Sequence, residues 1–133
     1  MKAFSGQKIN VNDNYPIDNY SNTLEALKAA YKDEFDEHDN IYSGFGKVAR
    51  EEGFLDIAFL FENIASIEKV HGDRFRMLAE ELEQGTLFKK DETVPWMCTN
   101  CGYIYEGLEA PKNCPVCNMV QGYFILFRRS LFE

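Results

Sequence analysis

The chain has 133 residues, enough for one core of ordinary size, or one core plus a small satellite. Its net charge of −8 argues against a surface for nucleic acid or an anionic membrane, and its 45% hydrophobic and 14% aromatic content excludes a disordered chain. No apolar run approaches the roughly 20 residues that span a bilayer, and "MKAFSGQKIN" lacks the apolar stretch of a secretion signal, so the expected compartment is the cytoplasm.

In chain order, residues 1–20 are rich in Asn, Asp and Pro and read as a connection, with Met1–Ser5 resembling the tail of a helix. Helix signals begin at Asn22, with Glu25 three residues later in capping-box spacing. The pattern runs to "REEGF", where Gly53 fits a stop position just past a helix. A second helix is expected from about Phe54 to Gln84, ending at Gly85. Each helix is about 30 residues, or about 45 Å. Joined by a single glycine, the two should form an antiparallel hairpin. From Thr86 onward, the β-type stretches "GTLFKK", "VPWMC" and "GYFILF" surround four cysteines. The expected division is therefore a helical unit over residues 1–85 and a small β-rich unit over 86–133.

The second helix carries polar residues inside an apolar stripe. Ile57, Phe61, Ile64, Glu68, His71, Phe75, Leu78 and Leu82 alternate in steps of four and three, which is one continuous helical face. Burying an unpaired carboxylate costs several kcal/mol, so Glu68 and His71 need an interior partner. In the first helix, Leu27, Tyr31, Ile41, Phe45 and Val48 form a stripe interrupted by Glu34 and Glu37, with His38 at its border. Two carboxylates three residues apart repel each other unless a cation lies between them. An E-x-x-E facing an E-x-x-H across a hairpin matches the ligand pattern of a carboxylate-bridged dimetal site in a helical bundle. The competing reading is a solvated acid–histidine pair with no ion. Tyr42, two turns past Glu34, is near enough to hydrogen-bond a ligand, and is otherwise a core tyrosine.

All four cysteines lie in "CTNCGYIYEGLEAPKNCPVC", as two C-x-x-C pairs. That is metal-ligand spacing, in a chain expected to occupy a reducing compartment. Zinc would hold such a site without redox chemistry, and iron would cycle one electron through it. The spacing leaves that choice open.

Taken together, "LEALKAAYKDEFDEHDNIYSGFGKVAREEGF", "FENIASIEKVHGDRF" and the cysteine pairs after "VPW" resemble the second half of a rubrerythrin, over roughly residues 15–127. The resemblance implies a mostly α fold. A long antiparallel hairpin, half of a ferritin-like four-helix bundle, would be completed by another chain and followed by a small β-rich, rubredoxin-like four-cysteine domain. It implies a non-haem di-iron peroxidase that reduces hydrogen peroxide to water in oxidative-stress defence. Electrons would arrive through a donor protein or reductase of an NADH peroxidase-type system. By position, Glu34, Glu37, Glu68 and His71 match di-iron ligands, Glu37 being the one that exchanges on and off one iron, and Tyr42 matches a tyrosine near the cluster. Cys98, Cys101, Cys114 and Cys117 match the ligands of a mononuclear iron, with zinc as a substitute occupant. Asn118 stands where rubredoxin knuckles often have glycine, and Asn tolerates the left-handed backbone needed there.

The first helix pair of the family pattern has no counterpart here, so a homodimer or higher oligomer is expected to complete the bundle, the rival account being a fragment of a longer chain. The four-cysteine site is expected to serve the di-iron site of a neighbouring subunit. Other readings are a metal-storage or ferroxidase-like module using dioxygen, and an inactive fragment with a structural zinc ribbon.

Overall fold

Asn22 opens the helical half. Its extended backbone leaves the side-chain oxygen free to accept the Glu25 amide at 2.9 Å, which satisfies one orphan donor of the first turn. Glu25 does not close the reciprocal capping box on Asn22, and its carboxylate takes the Ser21 amide and hydroxyl instead. The computed structural model describes residues 19–128. The reading of residues 1–18 as a connection with a helical tail lies outside them, as do residues 129–133.

From Asn22 the chain forms α1 (Thr23–Asp36), a π-helical segment (Glu37–Tyr42) and α2 (Ser43–Glu51), and then returns as α3 (Leu55–Gln84). The expectation of one regular helix to Gly53 is thus corrected, because the helix widens by a residue over Glu37–Tyr42. The turn between the two arms is also longer than a single glycine. It uses Glu52, Gly53 and Phe54, with Gly53 at φ +86°. Gly53 donates to Arg50 and Phe54 to Ala49, and at the end of α3 Gly85 (φ +70°) donates to Leu82 and Thr86 to Glu81. Both helices stop by the same left-handed glycine motif, which the two glycines signalled.

The seam between the arms is made of small residues. Ala58, Ala65, Gly72 and Ala79, seven apart along α3, are its buried positions, and Gly46 and Ala49 are those of α2. A Cβ at Gly72 would stand 2.8 Å from the Phe35 ring, so only hydrogen fits there. The stripe read from sequence lies to one side of this seam. Phe61, Ile64, Phe75, Leu78 and Leu82 are half-buried and Ile57 is 41% exposed, because the described chain offers nothing large enough to cover them.

The cysteine-bearing part is a three-stranded antiparallel sheet in the order β2–β1–β3, with β1 Lys89–Cys98, β2 Ile104–Glu109 and β3 Phe124–Leu126. Strand β2 is absent from the sequence reading. Its side chains are mostly exposed, so it lacks the alternation that marks a half-buried strand. Trp96, Cys98, Ala110, Cys114 and Phe124 form the core, and the Trp96 indole donates to the Gly107 carbonyl at 3.0 Å. Burying a Phe contributes about 1.5–3 kcal/mol, so a core this small needs a further constraint. Lys90 pairs with Glu81 of α3 at 2.9 Å across the junction.

Candidate metal centres

The two cysteine pairs are near-copies of one loop. Gly102 donates to the Cys98 carbonyl and Cys98 to that of Tyr103, while Asn118 donates to Cys114 and Cys114 to Met119. The residue after each second cysteine is left-handed, Gly102 at φ +77° and Asn118 at φ +58°. Asn118 therefore does the conformational work of the glycine it replaces.

The loops bring four free thiols together. Cys98 and Cys117 sulfurs are 3.7 Å apart, and Cys101 and Cys114 sulfurs 3.6 Å. A tetrahedron with metal–sulfur bonds of about 2.3 Å has edges of about 3.8 Å, so the set fits one ion closely. Backbone donors missed from sequence bear on two of the sulfurs. The Met119 amide, then the Asn100 side chain, bring the Cys117 thiol down to about 6. At Cys101 the Tyr103 amide acts the same way, but desolvation and the crowding of the other three sulfurs prevail, and its thiol is pushed up to about 12. Both donors sit two residues past the second cysteine of a pair, a spacing that could have located them. Removing protons from such a cluster requires a cation to hold the thiolates together.

The second cluster joins the two arms of the hairpin. Glu34 of α1 and Glu68 and His71 of α3 present ligand atoms all within 4.8 Å of one another. His71 Nδ1 lies 2.7 Å from Glu68 and 3.5 Å from Glu34. Burial, then the neighbouring Glu68, raises the Glu34 carboxyl above its ordinary range, and the His71 imidazole opposes the shift only in part. Two carboxylates and an imidazole around one half-buried point accept a divalent or trivalent cation readily, and the cation would offset the burial and the neighbouring carboxylates that hold Glu34 up.

Glu37 lies outside this group of three, one turn on, close enough to raise Glu34 through its charge. Tyr42 is held protonated above its ordinary range by burial, then by the charges of Glu37, Glu68 and Glu34. Its ring stacks on Phe61 at 6.2 Å between centroids. His38 does not join the cluster, and its Nδ1 meets the Ala65 carbonyl at 2.7 Å.

The family model described as rubrerythrin matches residues 8–97, and that of the rubrerythrin rubredoxin-like domain matches residues 96–125. The chain belongs to the rubrerythrin family. It is 46% identical to a rubrerythrin of Clostridium perfringens over 125 residues, which are 94% of this chain and 64% of that protein. It is 43% identical to a putative rubrerythrin of Methanocaldococcus jannaschii, over 77% of this chain and 50% of the relative. A rubrerythrin of Porphyromonas gingivalis is 37% identical over 90% of this chain and 60% of its own length. The chain thus spans between half and two thirds of the length of these curated relatives. Among solved structures, an all-ferrous nigerythrin is similar with a TM-score of 0.51 at 21% identity, over 95% of this chain and 58% of that one. That likeness establishes the fold, a mostly helical rubrerythrin half with a small rubredoxin-like sheet. That nigerythrin is an iron protein, and the two clusters here present tetrathiolate and carboxylate–imidazole donor sets of the kinds that bind iron.

Proposed function

We propose that this rubrerythrin chain reduces hydrogen peroxide to water at the carboxylate–imidazole centre, with electrons supplied through the tetrathiolate centre. The observation that carries the reading is the convergence of Glu34, Glu68 and His71 from two helices in a chain that also gathers four cysteines. Iron held by Glu34, Glu68 and His71 would supply two-electron cleavage of a peroxide O–O bond, and iron held by the four cysteines would pass electrons singly. The balance is one peroxide, two electrons and two protons to two waters, the electrons coming from a donor protein or reductase.

The side chains have separate tasks. Glu34, Glu68 and His71 would hold the metals, with Glu37 one turn on as an additional carboxylate, and Cys98, Cys101, Cys114 and Cys117 would hold the single ion. Binding at the first centre drives the Glu34 proton off, so metal affinity there rises with pH through the carboxylate range. Tyr42, whose phenol stays protonated beside three carboxylates, would supply a hydrogen-bond donor near the ligands.

Completion of the centre calls for a second hairpin. Two copies would bring four carboxylates from Glu34 and Glu68 and two imidazoles from His71, the full donor set of a ferritin-like dimetal site. The same association would cover the half-exposed stripe containing Ile57 and Phe61. In this reading residues 1–85, the helical hairpin with its N-terminal connecting segment, build the bundle and residues 86–133 carry electrons to a neighbouring subunit. The setting is the cytoplasm, where free thiols persist. Among the described residues no helix is long and apolar enough to cross a membrane.

The test is the stoichiometric oxidation of the ferrous protein by peroxide and by dioxygen, with metal content and sedimentation measured on the same sample. We expect about two irons per chain in a dimer, faster reaction with peroxide, and loss of that reaction in Glu68→Gln. Faster oxidation by dioxygen would favour a ferroxidase, and a monomer with full iron would remove the second copy.

A further inference from the structure

The one irregular stretch of the helical arm falls at the site. A π turn absorbs one extra residue, which rotates everything beyond it by about 100° relative to a regular α-helix. In an unbroken α-helix Tyr42, eight residues after Glu34, would stand about 80° round from it, and with one residue absorbed the two come within about 20°. The widened segment begins at Glu37 and ends at Tyr42, so it decides how both face the carboxylates.

Such a turn is unfavourable in isolation and persists only where its surroundings hold it. Residue 38 supplies the hold with both of its polar parts. Its carbonyl accepts the Ser43 hydroxyl at 2.5 Å, within the segment's own arm. Its ring reaches across the hairpin to the Ala65 carbonyl at 2.7 Å. A carbonyl only accepts, so Nδ1 carries the proton. Ala65 is a buried seam residue one turn before Glu68, so this bond ties the π segment to the stretch of α3 that presents Glu68 and His71.

We propose that His38 is a positioning residue, its ring clamping the π segment onto α3 so that Glu37 and Tyr42 are held beside Glu34, Glu68 and His71. Without the clamp the segment loses its hold on α3, its amides open more often, and Tyr42 swings away from the centre. The effect on metal affinity rests on the functional reading above, whereas the clamp itself does not.

The experiment compares His38→Leu, which removes the donor, with His38→Asn, whose amide nitrogen falls near the place of Nδ1. In the metal-free full chain, hydrogen exchange of the amides of residues 37–43 should accelerate about tenfold or more in the Leu variant, with α3 unchanged, and return to within about twofold in the Asn variant. In cobalt(II) titrations the Leu variant should bind about tenfold more weakly at the carboxylate centre, with unaltered thiolate charge-transfer bands, and the Asn variant should recover. The proposal is overturned if the Leu variant matches the wild type in exchange, if Asn fails as fully as Leu, or if α3 loses protection along with the π segment. Absence of any cobalt at the carboxylates of the wild type would sink the functional reading, while the exchange comparison would still decide the clamp.

Discussion

Cys101 and Cys117 occupy equivalent places in two copies of one loop, yet their sulfurs are shifted in opposite directions. Cys117 is brought to about 6 by the Met119 amide and the Asn100 side chain, so near neutral pH it ionises before Cys101. Cys101, pushed up to about 12, remains a thiol under the same conditions although it is exposed. The thiolate is the nucleophile. Brief treatment of the metal-stripped chain with iodoacetamide at pH 7 should therefore label Cys117 well before Cys101 in peptide mass spectra, and prior metal loading should protect both. Labelling governed by exposure alone, with Cys101 first, would contradict the assignment of the hydrogen bonds. The C-x-x-C spacing made the ligand set legible, because metal geometry restricts it. The inequality of the sulfurs was not legible, because it arises from amide directions that only the folded loops fix.

Among the elements, the close approach of α1 and α3 at Gly72 makes the sharpest prediction. Phe35 lies where a Cβ would be, and the Arg76 guanidinium sits over the ring at 5.6 Å. Gly72→Ala would gain helix propensity of about 1 kcal/mol but force Phe35 out at a cost of about 1–3 kcal/mol. We expect net destabilisation, read as a lower urea midpoint, whereas an exposed glycine-to-alanine change would raise it. The helices themselves were readable from Asn22, Gly53, Gly85 and the spacing of Ile57 to Leu82, since caps and periodicity are local. What packs on what was not. The stripe reading weighted bulky side chains, whereas the seam is built from Ala58, Ala65, Gly72 and Ala79, a seven-residue repeat visible in the sequence but low in hydrophobic signal. The π segment was hidden for another reason: its support comes from Ala65 and Ser43, and no local propensity announces it.

For the molecule as a whole, the two halves differ in what keeps them folded. The sheet has a core of five buried residues, two of them cysteines of the thiol cluster. Removing the ion leaves that core with a shared proton load and little else, since a core so small does not stabilise itself. Chelation should therefore abolish the near-ultraviolet signal of Trp96, the single tryptophan, while far-ultraviolet helix content stays nearly constant. Simultaneous loss of both would show that the halves fold as one unit. The helical half depends instead on how near its two rods lie. Axial separation between packed helices runs from about 8 to 10 Å with the size of the intervening groups, and here α3 contributes only methyls and a lone hydrogen, the hydrogen facing the Phe35 ring. A glutamate has a limited reach, so these spacers act as a shim that sets the gap between Glu34 and Glu68, and with it the radius of any ion the pair would share in the proposed centre. Side chains that never touch a ligand thereby take part in choosing it.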